Sequence, residues 1–202
     1  MKMLYLHIAY EVNKTKFYNQ KDYIFSKNDG VILESLNKIK YTNKKEFYIF
    51  HLMGSHTTYY KRYDKTHVLI KNPQNKKDMY DNSIFFTDYI LKNIYNKFKK
   101  HKKVLFIYFS DHGEYYGHGS YVPFKNELNI PFIIWSNIEN KRINKLFKIS
   151  QKLKYLNMES FYYIFNYITG INNDLNISNS SSIFTTNPSH KLNYDELKLK
   201  EW

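Results

Sequence analysis

The chain has 202 residues, 31 Lys and Arg against 18 Asp and Glu, a net charge of +13 and a pI near 9.5. That length suits one domain with a sizeable core. Hydrophobic residues make up 43%, which argues against disorder, and the absence of Cys excludes a disulfide framework or a thiolate zinc site.

Positive charge draws a protein to nucleic acid, anionic lipid or phosphate-bearing substrates. Here only Arg62 and Arg142 are arginines, and the lysines are scattered through Asn- and Tyr-rich sequence. Genome base composition explains such a balance as well as a binding role does. The 21 Tyr and 15 Phe could stack on bases or sugars, or build a core in place of Leu. The opening "MKMLYLHIAYEVNK" is a poor signal peptide. No window approaches the ~18 continuous apolar residues of a spanning helix, so a soluble or peripheral chain is expected.

In chain order, "LYLHIAY" is a candidate strand. "DGVILESLNKIK" (29–40) predicts an amphipathic helix with Ile32, Leu33, Leu36 and Ile39 on one face. "EFYIFHLMG" (46–54) predicts a buried strand ending at Gly54, and 55–77 a loop. The best helix covers 78–100, with a stripe of Ile84, Tyr89 or Leu91, Ile94, Tyr95 and Phe98. Asp78 and Asp81 near its start and Lys at its end complement the helix dipole. "VLFIYFS" (104–110) and "IPFIIWSN" (130–137) predict buried strands. "NKLFKISQKL" and "MESFYYIFNYITG" predict helices, the second stopping at Gly170. The Asn- and Ser-rich tail, 171–202, is expected to be irregular and exposed. The expected fold is α/β with a mostly parallel sheet flanked by helices, in one domain over 1–202.

Ligands of such sheets bind beyond the carboxyl ends of the strands. Two predicted strands end there in polar loops, one bearing His51 and His56, the other Asp111 and His112. If the strands are neighbours, these loops meet on one edge. A carboxylate and an imidazole are what zinc or manganese takes without thiolates. Gly113 would let the chain turn so that both face one ion. His118 between Gly117 and Gly119, and His56 after "MGS", could complete the cluster. Such a site suits Lewis-acid catalysis on a phosphoryl or sulfuryl group. Glu114 is either a partner of a ligating His or solvent-exposed. His51 reads as a core histidine, and His7, His67, His101 and His190 as surface residues. Asp81 and Asp88 read as capping or packing groups. A lone Asp-His pair is, by itself, more often loop polarity than a metal site.

"FYIFHLMGSHTTYYKRY", "YDNSIFFTDYIL", "YFSDHGEYYGHG" and "IPFIIWSN", in this order and spacing, resemble the sulfatase-like catalytic domain of bacterial phosphoethanolamine transferases, in the alkaline phosphatase-like superfamily. The resemblance is best over 29–137. It implies an inner-membrane, periplasmic, zinc-dependent enzyme. Such an enzyme moves phosphoethanolamine from phosphatidylethanolamine onto lipid A or other envelope glycans through a phosphorylated Thr. It implies Asp111 and His112 as zinc ligands, His56 and His118 as ligands of a second metal or the phosphate, and Glu114 behind them.

The chain also departs from that family. The nucleophilic Thr and an acidic ligand should precede the "MGSH" loop, yet Thr15 and Thr42 lack the expected surroundings. The transmembrane helices are absent too. The expectation is an N-terminally truncated transferase, inactive alone, a split-gene fragment or one half of a two-chain enzyme with a separate N-terminal polypeptide. The alternatives are a sulfatase- or phosphatase-type hydrolase, a non-catalytic binder of envelope phosphates, and a basic Tyr-rich nucleic-acid-binding domain. The family resemblance carries no expectation of nucleic acid.

Overall fold

The computed structural model describes residues 28–42, 44–115, 123–184 and 191–201, without the side chains of Phe184 and Lys191. The candidate strand "LYLHIAY" and residues His7, Thr15, His118 and His190 lie outside the described residues. The chain divides into two compact units, Met1–Lys97 and Phe98–Trp202.

In the first unit, α1 (Val31–Lys38) begins after Asp29 and Gly30 and buries Ile32 and Leu36, with Ile39 buried just beyond it. The expected amphipathic face is therefore present. The segment 46–54 is not a strand. It forms no ladder with a described residue, Phe47 is 51% exposed, and His51 is exposed where a core histidine was expected. A short 3-10 turn, Tyr59–Lys61, interrupts the loop that follows.

The long helix α2 (Lys76–Phe98) starts two residues earlier than expected. Asn75 Oδ1 accepts from Asp78 N at 2.9 Å, capping its first turn. Its inward face is Asn82, Ser83, Phe86, Thr87, Ile90 and Ile94, while Ile84 is 46% exposed. The apolar periodicity misplaced the stripe because three of the inward residues are polar. Each is satisfied locally. Thr87 Oγ1 donates to Ser83 O at 2.9 Å and Ser83 Oγ to Tyr80 O at 2.6 Å. Asn82 accepts from Ile70 N at 2.8 Å and donates to Ile70 O at 2.9 Å, tying the preceding loop to the helix. Asp81 pairs with Lys77 one turn away, and Asp88 is exposed.

In the second unit, β1 (Leu105–Phe109) and β2 (Phe132–Ser136) form an antiparallel pair with Ile107 opposite Ile134. Both described ladders are antiparallel, against the mostly parallel expectation. A parallel pair needs a long crossover that carries the chain back along the strand. Between β1 and β2 the described chain holds only the four-residue α3 (Lys125–Leu128). One face of the pair, Leu105 and Ile107 with Phe132 and Ile134, packs on Leu146, Ile164, Tyr167 and Ile168. These core residues come from α4 (Lys141–Ser150) and α5 (Phe161–Thr169). The other face leaves Ile133 exposed, so the strands are half-buried.

Asn140 caps α4 by accepting from Arg142 N and Ile143 N. Gly170, at φ +84°, ends α5 in the left-handed conformation that glycine adopts without strain. The tail departs from expectation. Leu175 and Ile177 pack on the core. Strands β3 (Ser182–Phe184) and β4 (Lys191–Asn193) pair antiparallel, and Leu197 is buried.

Candidate metal and phosphate site

The second unit carries the turn that follows β1. Asp111 and His112 sit at the strand's carboxyl end, as expected. Asp111 Oδ1 accepts from His112 N at 3.1 Å, and Ser110 Oγ donates to His112 O at 2.6 Å, so the turn is knitted within itself. The ring nitrogen Nδ1 of His112 lies 2.6 Å from Gly113 O. A carbonyl only accepts, so Nδ1 carries the proton and Nε2 is the basic nitrogen of the neutral ring. Nε2 lies 3.9 Å from Asp111 Oδ1.

Bonds of about 2.0–2.2 Å from each atom to one ion sum to slightly more than their separation, so as placed the pair reaches a shared ion only at an angle wider than tetrahedral. A carbonyl holding the other imidazole nitrogen is the usual support of a ligating His. Asp111 is well exposed, so an ion can reach it. Among the described residues no group of three His, Asp or Glu is gathered as a metal site. The fit is thus that of two ligands.

Gly113 serves a different end from the one expected. Its φ is not positive. A Cβ there would stand 1.9 Å from Asn126 O and 2.5 Å from Asn129 O. Glycine is required because the turn presses against the backbone of α3, where Gly113 N donates to Glu127 O at 2.7 Å. Glu127, buried, reaches back to Phe124 N at 2.7 Å and shapes that short helix.

The tail also holds α3. Lys125 N donates to Lys198 O, Asn126 exchanges two bonds with Lys200, and Tyr194 Oη donates to Asn129 Oδ1 at 2.6 Å. Sequence reasoning missed this support because nothing in an Asn- and Ser-rich tail marks a docking segment. Glu114 is 9% exposed, so it is not the solvent-facing residue of the two readings offered for it.

The first unit carries the "MGSH" turn. Asp29, 1% exposed, accepts from Met53 N at 3.0 Å through Oδ1 and from Gly54 N at 2.8 Å through Oδ2. Gly54 has φ +55°. His56 Nδ1 lies 2.5 Å from Thr57 O, so this ring, like that of His112, holds its proton on a neighbouring carbonyl. Arg62 Nε donates to His56 O at 3.1 Å. Asp29 and Arg62 were not singled out by sequence. Asp29 only opens the predicted helical stretch, and its partners lie 24 and 25 positions away.

His67, expected on the surface, is half-buried and stacks on Tyr89 at 4.2 Å. Thr66 Oγ1 donates to Asp64 Oδ1 at 2.9 Å and lies 2.9 Å from His67 Nδ1. The Thr66 backbone N–H and then its hydroxyl hold the exposed Asp64 carboxyl below its ordinary range. Thr42 Oγ1 accepts from Lys44 N, with no sign of activation.

The second unit thus sets an Asp-His turn at the carboxyl end of β1, on a strand pair packed against α4 and α5. The chain belongs to the sulfatase family, which matches residues 7–171, and this places it in the alkaline phosphatase-like α/β class. It is 32% identical over 120 residues to "Phosphoethanolamine transferase EptA" of Helicobacter pylori, covering 48% of this chain and 23% of that protein. It is 29% identical over 143 residues to the Salmonella typhimurium protein of the same name, covering 59% and 23%. It is 28% identical over 102 residues to "Putative transferase YhbX" of Escherichia coli K12, covering 46% and 19%. The matched part thus spans under a quarter of each of these relatives. No solved structure matches. Among the described residues, no helix is long and apolar enough to cross a membrane.

Proposed function

We propose that the chain carries the metal- and phosphate-binding side of a phosphoethanolamine transfer reaction. The donor is phosphatidylethanolamine, and the acceptor is lipid A or another envelope glycan. The observation behind this reading is the Asp111–His112 turn, with a basic Nε2 held 3.9 Å from a carboxylate oxygen, in a chain part of which is similar to two phosphoethanolamine transferases. The catalytic compartment would be periplasmic, and the fuller sheet of this superfamily mostly parallel.

Zinc, or manganese, is the group that Asp111 and His112 would hold, and it would supply charge stabilisation for phosphoryl oxygens. Asp111 and His112 orient their donor atoms through the bonds of the turn itself. His56, with its proton held on Thr57 O, offers Nε2 to a second metal or, once protonated, a charge to the phosphate; His118 is assigned the same role, with Glu114 supporting the ligands. No Thr of this chain is assigned as the nucleophile, so covalent transfer in this reading needs a residue from outside the set named here.

The test incubates the purified chain and zinc with phosphatidylethanolamine labelled in the headgroup. The expected result is zinc-dependent retention of labelled headgroup phosphate, weakened by Asp111→Ala, with no labelled acceptor formed by the chain alone. Robust transfer by the chain alone would overturn the missing-nucleophile assignment. Release of free labelled phosphoethanolamine would favour a hydrolase instead.

A further inference from the structure

The sequence holds Asn-X-Ser/Thr triplets at Asn13–Lys14–Thr15, Asn176–Ile177–Ser178 and Asn179–Ser180–Ser181, while Pro188 bars the one that begins at Asn187. This is the acceptor pattern for an N-linked sugar, and it acquires meaning only on an exposed loop of an exported protein. Asn13 lies outside the described residues. The structure separates the other two.

Residues 172–181 follow α5 and belong to no helix or strand. Leu175 and Ile177 pack on the core of the second unit, while Asp174 and Asn176 are exposed. The two apolar side chains thus fasten the loop to the surface and leave the Asn176 amide toward solvent. Neither that amide nor the Ser178 hydroxyl is in a hydrogen bond among the described residues. Ser178 is held through its backbone, whose N donates to Ser160 Oγ at 2.8 Å. Asn179 is treated differently. Its Oδ1 accepts from Tyr155 N at 2.9 Å, so this amide is committed to the fold. Beside Asn176 lies an open cavity of about 480 Å³, bordered by Lys145, Ile149 and Asn173, with room for a first sugar ring.

We propose that Asn176 is the acceptor of an N-linked glycan, transferred by an oligosaccharyltransferase from a sugar carried on a lipid diphosphate. Nδ2 of Asn176 forms a bond to the anomeric carbon of that sugar. The bond from this carbon to the phosphate oxygen breaks, the lipid diphosphate leaves with the electron pair, and one amide proton passes to a base of the transferring enzyme. The Ser178 hydroxyl is the group by which that enzyme places the amide, and Asp174 offers it an anionic second handle. The inference rests on the periplasmic reading above, because such a donor displays its sugar on the far side of the membrane from the cytoplasm.

The test incubates the folded whole chain with a purified bacterial oligosaccharyltransferase and a lipid-diphosphate-linked oligosaccharide, and locates the glycan by mass spectrometry. It uses no zinc, no phosphoethanolamine donor and no compartment, so the acceptor and the transferase reading can each fail without the other. A glycan on Asn176 is expected. Asn176→Gln and Ser178→Ala should each lower modification of the loop by about tenfold or more, while Ser178→Thr, which keeps the hydroxyl, should retain it. Asn179→Gln should leave it unchanged. An unmodified Asn176 in the folded wild type would overturn the assignment, as would a loop glycan carried by Asn179 or full modification of Asn176 in Ser178→Ala.

Discussion

The ring of His112 is held by the carbonyl of its own neighbour, Gly113, 2.6 Å from Nδ1. This single bond selects the tautomer and leaves Nε2 as the basic nitrogen beside the Asp111 carboxylate. In the neutral ring, nitrogen chemical shifts should show Nδ1 protonated and Nε2 bare. Zinc should then shift Nε2 and leave Nδ1 little changed. The opposite tautomer would remove the geometric basis for His112 as a ligand.

Gly113 admits no side chain. Gly113→Ala would drive a methyl group to 1.9 Å from Asn126 O, so the turn or α3 must move. Destabilisation of about 3 kcal/mol is expected in urea unfolding, together with weaker zinc binding. A variant as stable as wild type would show that the turn does not rest on α3 in solution.

Asp29 links the start of α1 to the "MGSH" turn. Asp29→Ala leaves two amides without their acceptor and should cost about 2–4 kcal/mol, with faster hydrogen exchange at Met53 and Gly54. Asp29→Asn, which keeps one acceptor oxygen, should cost less.

The tail's attachment should respond to acid. The Tyr155 hydroxyl, and then Lys154, hold the exposed Asp195 carboxyl below its ordinary value of 3.8. Its folded pKa is depressed, so its contribution is present above that value and is lost as pH falls through the lower folded one. Asp195→Asn should abolish this acid-limb component of unfolding and lower stability near neutrality by the same amount, which is small for an exposed, salt-screened contact. An unchanged acid limb would show that the pairing is not populated.

Much of the fold was legible because helices with a strong 3.6-residue pattern bury what the pattern marks. Ile32, Leu36 and Ile39 were read correctly, as was the break at Gly170, and β1 falls within the strand expected over 104–110. The pattern failed on α2, where Asn82, Ser83 and Thr87 turn inward and satisfy themselves, displacing Ile84 to the surface. It failed on 46–54, where an apolar run alone does not supply a pairing partner. The strand direction was not legible either, since apolar runs do not say which way a neighbour runs. Of the site, Asp111 and His112 could be read from their place at a strand end. Their support could not, because Gly113, α3 and the tail come together through backbone contacts and a few Asn and Tyr bonds that leave no residue signature. Arg62 and Asp29 stayed hidden for the same reason.

Zinc titration of the purified chain against a chromophoric competitor tests most directly whether the Asp111–His112 turn is a metal site. Wild type should take up zinc saturably, and Asp111→Ala and His112→Ala should each weaken uptake by about tenfold or more. Identical zinc uptake by wild type and both variants would contradict the assignment.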